Sequence, residues 1–192
     1  MPQRTAILGW GSLLWEGGAE FDRWHDEWRL DGPSLKLEFS RVSRSRLGAL
    51  TLVIDPQHGS TTAVAWCMSK RNYPDDAVAD LQRREGCAIR YIARLALPAS
   101  ADRLADDEAG TDVAAWAKPR KLDVVIWTAL RSNFDTEIGR PFSTGEAIGY
   151  LKRLSAPAKV RAEEYICRAP EFVRTPLRQA FETDVWFSKS KA

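Results

Sequence analysis

The chain has 192 residues, of which 44% are hydrophobic and 28% are charged, and its formal net charge at pH 7 is +2. This length predicts a single domain over residues 1–192 with a full hydrophobic core, because domains of roughly 100–200 residues are typical. A net charge this close to zero argues neither for nor against an acidic partner.

No stretch of the sequence approaches the roughly 20 uninterrupted apolar residues of a membrane span. The first residues lack the long apolar core of a signal peptide. The three cysteines have no Cys-x-x-Cys spacing, which favours a reducing compartment over a disulfide framework. We therefore expect a cytoplasmic protein without a membrane partner.

The predicted elements mix strands and helices without a regular βαβ rhythm, which indicates an α+β fold. Alternating or continuous apolar residues predict strands at 6–8, 35–39, 49–54, 61–68, 90–97 and 122–130. Residues 35–68 therefore look like an antiparallel meander. Helices are predicted at 74–85, 144–154, 158–168 and 170–182, and residues 99–121 are expected to be a mobile or partly helical excursion.

Two of these helices have clear ends. Pro74 and the acids after it favour a helix start, and Gly86 is a natural left-handed cap at its end. Ser143 and Glu146 have the spacing of a capping box, which predicts a helix from about residue 144.

A glycine-paired loop follows the first strand, in the segment Gly9-Trp10-Gly11-Ser12-Leu13. The two glycines allow a sharp bend or a close approach of the backbone to a ligand. Such a loop directs several backbone N–H groups toward one point, which suits a carboxylate or a developing oxyanion. The alternative is a tight turn between two buried segments.

Glu85 lies at the end of the helix predicted to stop at Gly86. Its spacing from Val78 and Leu81 places it on the apolar face, where partial burial and the helix C-terminus both favour a raised pKa. The neighbouring arginines oppose that shift. Glu85 is therefore either a proton-transfer group or a glutamate paired to an arginine at a frayed helix end.

Taken together, the loop and Glu85 resemble the γ-glutamylcyclotransferase-like superfamily, including its ChaC branch. Gly9 to Leu13 is similar to the Tyr-Gly-Ser-Leu loop of that family, and Arg84-Glu85-Gly86 resembles the segment that holds its catalytic glutamate. The resemblance covers roughly residues 4–150. It implies a mixed, mostly antiparallel β-barrel-like sheet flanked by helices, with the loop and the glutamate in one cavity.

The resemblance implies an enzyme that releases 5-oxoproline from a γ-glutamyl amine or peptide, as in glutathione metabolism, with no metal or cofactor. Glu85 would be the general base and acid, and Gly9, Trp10, Gly11, Ser12 and Leu13 would contact the small-molecule substrate. Trp10 stands where the family usually has tyrosine, and the segment after Gly86 lacks the family's aromatic residue. These two departures leave the choice of γ-glutamyl substrate open, including a γ-glutamylamine.

Arginines follow the second predicted strand, and Arg44 and Arg46 are expected on one face of its end. Arg46 is our candidate for a bidentate contact with a substrate carboxylate; the alternative is solvated charge at the sheet rim. The cluster is too short for a nucleic-acid partner. Asn133 and Phe134 are further candidates for lining the cavity.

Other catalytic classes are disfavoured. A Cys87 nucleophile needs a nearby histidine, and only His25 and His58 exist. Leu14 occupies the position at which both a nucleophile elbow around Ser12 and a dinucleotide-binding loop need glycine, and no zinc-ligand spacing occurs. The main alternative function is a non-catalytic module that binds an amino-acid-like ligand on the same fold. The sequence leaves the oligomeric state open.

Overall fold

The computed structural model describes residues 2–99 and 108–184. By its contacts the chain divides into two compact units, one formed by Met1–Leu35 and Ala63–Leu130 and the other by Lys36–Thr62 and Arg131–Ala192. Helices and strands occur in both units, so the prediction of an α+β fold is confirmed. The described strands form two sheets and no closed barrel. The prediction of a single domain stays a prediction.

The strands of the described residues are β1 Thr5–Gly9, β2 Ser34–Ser43, β3 Ala49–Ile54, β4 Ser60–Ala63, β5 Ala65–Met68, β6 Ile92–Ala96 and β7 Val124–Thr128. The α-helices are α1 Ala19–Asp22, α2 Pro74–Glu85, α3 Glu108–Ala117, α4 Phe134–Ile138, α5 Thr144–Arg153, α6 Ala156–Arg168 and α7 Pro176–Thr183.

The first unit contains a mixed four-stranded sheet in the order β5-β1-β7-β6. Strand β1 runs antiparallel to β5 and parallel to β7, and β6 runs antiparallel to β7. Strand β1 is an inner strand of this sheet and all of its residues are buried, as its continuous apolar run indicates for a strand covered on both faces. Helix α2 packs over β6 and β7 and buries Ala77 and Leu81 in a cluster with Leu13 and Ile126.

The second unit contains a three-stranded sheet in the order β3-β2-β4, with β2 antiparallel to β3. The register between these two strands shifts between Glu38 and Arg41. Helix α6 packs on β3, and its Tyr165 ring meets the Phe39 ring of β2 edge to face at 6.2 Å. Phe39 is fully buried, so aromatic packing joins this sheet to α6.

Two helix predictions are confirmed in detail. Helix α2 begins at Pro74 and ends at Glu85, and Gly86 adopts the left-handed conformation with φ +60°. Helix α5 begins after Ser143, whose hydroxyl accepts a hydrogen bond from the Glu146 amide at 3.2 Å. In both cases the ends are set by residues that act within one helical turn.

The predicted strand 61–68 is interrupted at Val64, and its halves belong to different sheets. The Val64 amide donates to the Pro33 carbonyl, and its carbonyl accepts from the Gly32 amide, both at 3.0 Å. The turn before β2 therefore takes the hydrogen bonds that a neighbouring strand would take. The predicted meander is correct for β2 and β3 and wrong beyond them, because β4 lies beside β2 and β5 lies beside β1.

Two other predictions need adjustment. The last predicted helix starts at Pro176 instead of residue 170, with the Thr175 hydroxyl as its N-terminal cap. The predicted excursion at 99–121 contains helix α3 and a 3-10 turn at Lys118–Arg120, and its residues 100–107 lie outside the described part of the chain.

Candidate functional site

The N-terminal loop is a tight turn directly after β1. A 3-10 turn spans Ser12–Leu14, and the Leu14 amide donates to the Gly11 carbonyl at 3.0 Å. Within the described residues, the amides of Gly11, Ser12 and Leu13 donate no hydrogen bond to another protein group. The tight turn is therefore confirmed. The loop also carries three consecutive amides that could donate to a ligand oxygen, and ligand binding there stays a prediction.

The side chains of the loop serve packing. Trp10 and Leu13 are both buried, and Leu13 belongs to the cluster beneath α2. A Cβ on Gly9 would lie 2.9 Å from two ring carbons of Trp28 and 3.1 Å from Leu14 Cδ2. Glycine is needed at position 9 because an aromatic ring rests on the backbone there. Contact of these residues with a substrate stays a prediction.

Glu85 is the last residue of α2, and its side chain is 19% exposed. The helix buries Leu81 and packs Val78 against the same cluster, so the predicted apolar face is confirmed, and it includes a partly buried carboxylate. Gly86 ends the helix by directing its amide to the Gln82 carbonyl at 2.9 Å and the Arg83 carbonyl at 3.3 Å. The helix end is therefore well formed and not frayed.

Arg84 connects the end of α2 to the N-terminal loop. Its side chain is 13% exposed, and its Nη1 lies 3.7 Å from Oε1 of the Glu85 carboxylate. Its Nη2 donates to the Ser12 carbonyl at 3.0 Å and to the Glu16 carbonyl at 2.5 Å. The sequence suggested only a charge near Glu85. The contact with the loop joins residues about 70 positions apart, and no local pattern signals it.

The Glu85 carboxylate also affects the pKa of the Cys87 thiol. Burial is the main cause of the raised pKa of the Cys87 thiol, and the negative charge of Glu85 adds to it. Cys87 also packs against the cluster that contains Leu13. The Glu85 charge therefore influences the ionisation of Cys87, whose side chain packs on the cluster to which the loop contributes Leu13.

A cleft of about 220 Å³ lies beside Arg84, and it is lined by Gly18, Ala19, Glu20, Phe21, Asp80, Arg83 and Arg84. Asp80 is almost fully buried and accepts two hydrogen bonds from Arg71, at 2.7 and 3.0 Å. It accepts a third from Arg83 at 2.5 Å. A buried carboxylate held by two guanidinium groups in this way stabilises one wall of the cleft.

Arg46 and Arg44 belong to the second unit and lie in a 3-10 turn over Arg44–Arg46. The prediction that they share one face of a strand end is wrong, because β2 stops at Ser43 and the turn points successive side chains in different directions. The Arg46 guanidinium lies over the Tyr165 ring at 4.9 Å. The exposed Arg44 pairs with Glu137 at 3.1 Å, as expected of charge at a sheet rim.

Asn133 has a structural contact in the same unit. Its side-chain oxygen accepts from the Val42 amide at 2.7 Å, and its nitrogen donates to the Val42 carbonyl at 3.2 Å. Phe134 is fully buried in the core of that unit. The amide of Asn133 therefore extends the hydrogen bonding of β2.

Glu38 is a buried carboxyl group that the sequence did not single out. In the alternating pattern of β2, Glu38 falls between the apolar Leu37 and Phe39, on the face that would be polar, yet it is 0% exposed. Its two oxygens accept from the Phe39 amide at 2.7 Å and the Leu177 amide at 3.3 Å. Burial raises the pKa of Glu38, and a hydrogen bond with the Thr175 side chain opposes the shift. The start of α7 covers this position, so Glu38 anchors a helix and is not part of an open surface.

Within residues 2–99 and 108–184, no group of three or more histidine, cysteine, aspartate and glutamate side chains is arranged to hold a metal ion. In the same residues, no helix has both the length and the apolar character needed to cross a membrane. Comparison of the chain with family models, with curated proteins and with solved structures gives no match in any of the three cases.

Proposed function

We propose that the chain is a γ-glutamyl cyclotransferase-type enzyme of the γ-glutamylcyclotransferase-like superfamily, with Glu85 as general base and then general acid. One observation carries the proposal: the partly buried Glu85 carboxylate ends α2 beside Arg84, and Arg84 binds the loop whose amides are directed to no protein acceptor. The Arg84 side chain thereby connects the candidate base, Glu85, to the loop whose amides are the candidate oxyanion donors.

The reaction needs a base that acts twice. The α-ammonium group of a γ-glutamyl compound loses a proton to Glu85, and the freed amine attacks its own γ-carbonyl carbon to close a five-membered ring. The bond to the leaving nitrogen then breaks as that nitrogen takes the proton from Glu85, and the ring nitrogen, which still holds two protons after the attack, gives one of them to water. The products are 5-oxoproline and a free amine. A general base of this kind typically contributes a factor of about 10²–10⁴ in rate.

The loop would supply the electrostatic part of catalysis. The amides of Gly11, Ser12 and Leu13 are the candidates for donating hydrogen bonds to the tetrahedral oxyanion or to the α-carboxylate of the substrate. Removal of a single oxyanion donor costs about 10²–10³ in rate in well-studied enzymes. Holding the γ-glutamyl chain curled, with its amine near its carbonyl, adds an orientation term.

The test is a panel of γ-glutamyl amino acids, peptides and amines, assayed for release of 5-oxoproline. We expect release from at least one member and a loss of at least about 10²-fold in kcat for Glu85→Gln, since the amide keeps the shape and removes the base. Glu27→Gln is the matched control, because Glu27 is an exposed glutamate of the same unit and its variant should keep the parent rate.

Two outcomes would contradict the proposal. Release of 5-oxoproline by Glu85→Gln at the parent rate would remove Glu85 from the mechanism. No release across the whole panel, together with ligand-induced increases in melting temperature, would instead favour the non-catalytic binding module.

A further inference from the structure

We propose that Arg84 is a positioning residue that orients and polarises the Leu13 amide, so that this amide becomes the main oxyanion donor of the site. The inference rests on the proposed function and goes beyond it by naming which donor acts and what controls it. The carbonyl group of Ser12 is unusual in its number of hydrogen bonds. The Ser12 oxygen accepts three hydrogen bonds, from the Trp15 amide at 3.2 Å, the Glu16 amide at 2.7 Å and Arg84 Nη2 at 3.0 Å.

The direction of the Leu13 amide follows from peptide geometry. The Ser12 carbonyl and the Leu13 N–H belong to the same planar peptide unit, and in a trans peptide they point in opposite directions. Donors that hold the Ser12 oxygen therefore also fix where the Leu13 hydrogen points. With the oxygen directed toward Arg84 and the following turn, the Leu13 hydrogen is directed away from both.

The strength of the Leu13 amide as a donor follows from the same contacts. Hydrogen bonds to a carbonyl oxygen withdraw electron density from its peptide unit, which strengthens the N–H of that unit as a donor. The effect is larger when the donor is charged, as the guanidinium of Arg84 is. The Leu13 amide donates to no other protein group among the described residues, so this polarisation is available to a ligand.

Arg84 forms a long ion pair with Glu85 and makes its hydrogen bonds to backbone carbonyls. Its closest approach to Glu85 is 3.7 Å, which is longer than a hydrogen bond. Its Nε is buried without a partner in the described part of the chain. Two backbone carbonyls take the hydrogen bonds of Nη2 instead. The guanidinium is thus used to hold the loop, while its charge faces the Glu85 carboxylate.

The first experiment compares Arg84→Ala with Arg83→Ala. Arg83 is the preceding arginine of α2, and its contacts go to Asp80 and Glu20 instead of the loop. We expect Arg84→Ala to lower kcat by about tenfold to a hundredfold and to leave KM within about threefold, because an oxyanion donor acts in the transition state only. Arg83→Ala, which removes a contact with Asp80 in the wall of the cleft and leaves the loop contacts of Arg84 in place, should lower kcat by clearly less than Arg84→Ala does. Arg84→Lys should lie between, since one ammonium replaces the charge without the two-carbonyl geometry.

Chemical rescue separates positioning from a general loss of structure. Removal of the Arg84 side chain enlarges the adjacent cleft, and added guanidinium ion at millimolar concentration should then restore part of kcat. Sodium chloride at equal ionic strength should not restore it, and guanidinium should not rescue Glu85→Gln. Melting temperatures of all variants are measured in parallel to confirm that each is folded at the assay temperature.

A readout independent of activity is the Leu13 amide resonance in protein labelled with ¹⁵N-leucine, assigned by its disappearance in Leu13→Met. We expect its proton to move upfield in Arg84→Ala and to stay in place in Arg83→Ala. An unchanged Leu13 resonance, or an Arg84→Ala kcat equal to that of the parent, would overturn the inference. If the parent protein releases no 5-oxoproline, the proposed function fails, and the resonance alone decides whether Arg84 controls the Leu13 amide.

Discussion

Replacement of Gly9 by alanine tests whether the N-terminal loop is shaped by packing. The added Cβ would lie 2.9 Å from Cη2 and Cζ3 of Trp28 and 3.1 Å from Leu14 Cδ2. Optimal carbon–carbon separations are about 3.5–4.0 Å, so either the ring or the strand has to move. Overpacking of this kind costs about 1–3 kcal/mol. Alanine also reduces the conformational entropy of the unfolded chain, which favours folding by about 0.4–1 kcal/mol and offsets that part of the cost.

We therefore expect Gly9→Ala to lower the free energy of unfolding by about 1–2 kcal/mol. Urea unfolding followed by tryptophan fluorescence measures this change in the unit that contains Gly9. Of the eight tryptophans of the chain, all but Trp186, which lies outside the described residues, belong to the first unit. Gly18→Ala is the matched control in the same unit. Its Cβ would lie 3.4 Å from the nearest atom, Arg84 Cδ, so stability should change by less than about 0.5 kcal/mol.

The double variant with Trp28→Leu isolates the contact. Leucine lacks the two ring carbons that crowd position 9, so Gly9→Ala should cost less in this background, with a coupling of about 0.5–3 kcal/mol between the sites. The reasoning is refuted if Gly9→Ala leaves stability unchanged, or if it costs the same with and without the Trp28 ring. In that case the glycine would be kept for backbone approach to a ligand, and KM would be the parameter that changes.

Three further predictions concern charged and titratable groups. Asp80→Ala should lower the free energy of unfolding by about 2–3 kcal/mol, because it leaves two guanidinium groups without their buried carboxylate. As a control, Asp75→Ala should lower that free energy much less, because the Asp75 side chain is 83% exposed. Because burial raises the pKa of Glu38, its contribution to stability is complete below its ordinary value of 4.5 and is lost as the pH rises through the folded-state pKa. Glu38→Gln should remove that part of the pH dependence of unfolding. Glu85→Gln should lower the pKa of the Cys87 thiol by removing a nearby negative charge, while burial keeps it above the ordinary value of 9.0.

The controls for these measurements come from the same chain. For Glu38, the exposed Glu171 is replaced by glutamine, and an equal change in the pH dependence of both variants would contradict the assignment. For Cys87, alkylation rates are measured against pH after the exposed Cys167 is replaced by serine, and Cys67 is buried. An alkylation profile that is identical with Glu85 and with glutamine would place the carboxylate away from the thiol.

Features that depend on neighbouring residues along the chain were predictable. The start of α2 at Pro74, its end at Gly86 and the cap of α5 by Ser143 all involve groups within one turn of helix. The partly buried position of Glu85 followed from the same helical spacing. Such features are set by local geometry, so the sequence contains all the information they need.

Features that depend on distant contacts were not predictable. The alternation along β2 suggests an exposed Glu38, but the start of α7 buries it. The predicted placement of Arg44 and Arg46 was wrong because it assumed that the strand continues past Ser43, where a 3-10 turn begins. A strand pattern shows which side chains share a face, but it does not show what covers that face or where the strand stops.

The sequence by itself therefore determined the mixed α+β character, the helix ends and the placement of Glu85 on the apolar face of α2. Only the tertiary structure decided that Trp28 rests on Gly9 and that Arg84 reaches the Ser12 and Glu16 carbonyls. The physical reason is one of range. Helical periodicity and capping act over three or four residues, whereas a guanidinium that holds a loop some 70 residues away depends on how separate elements pack.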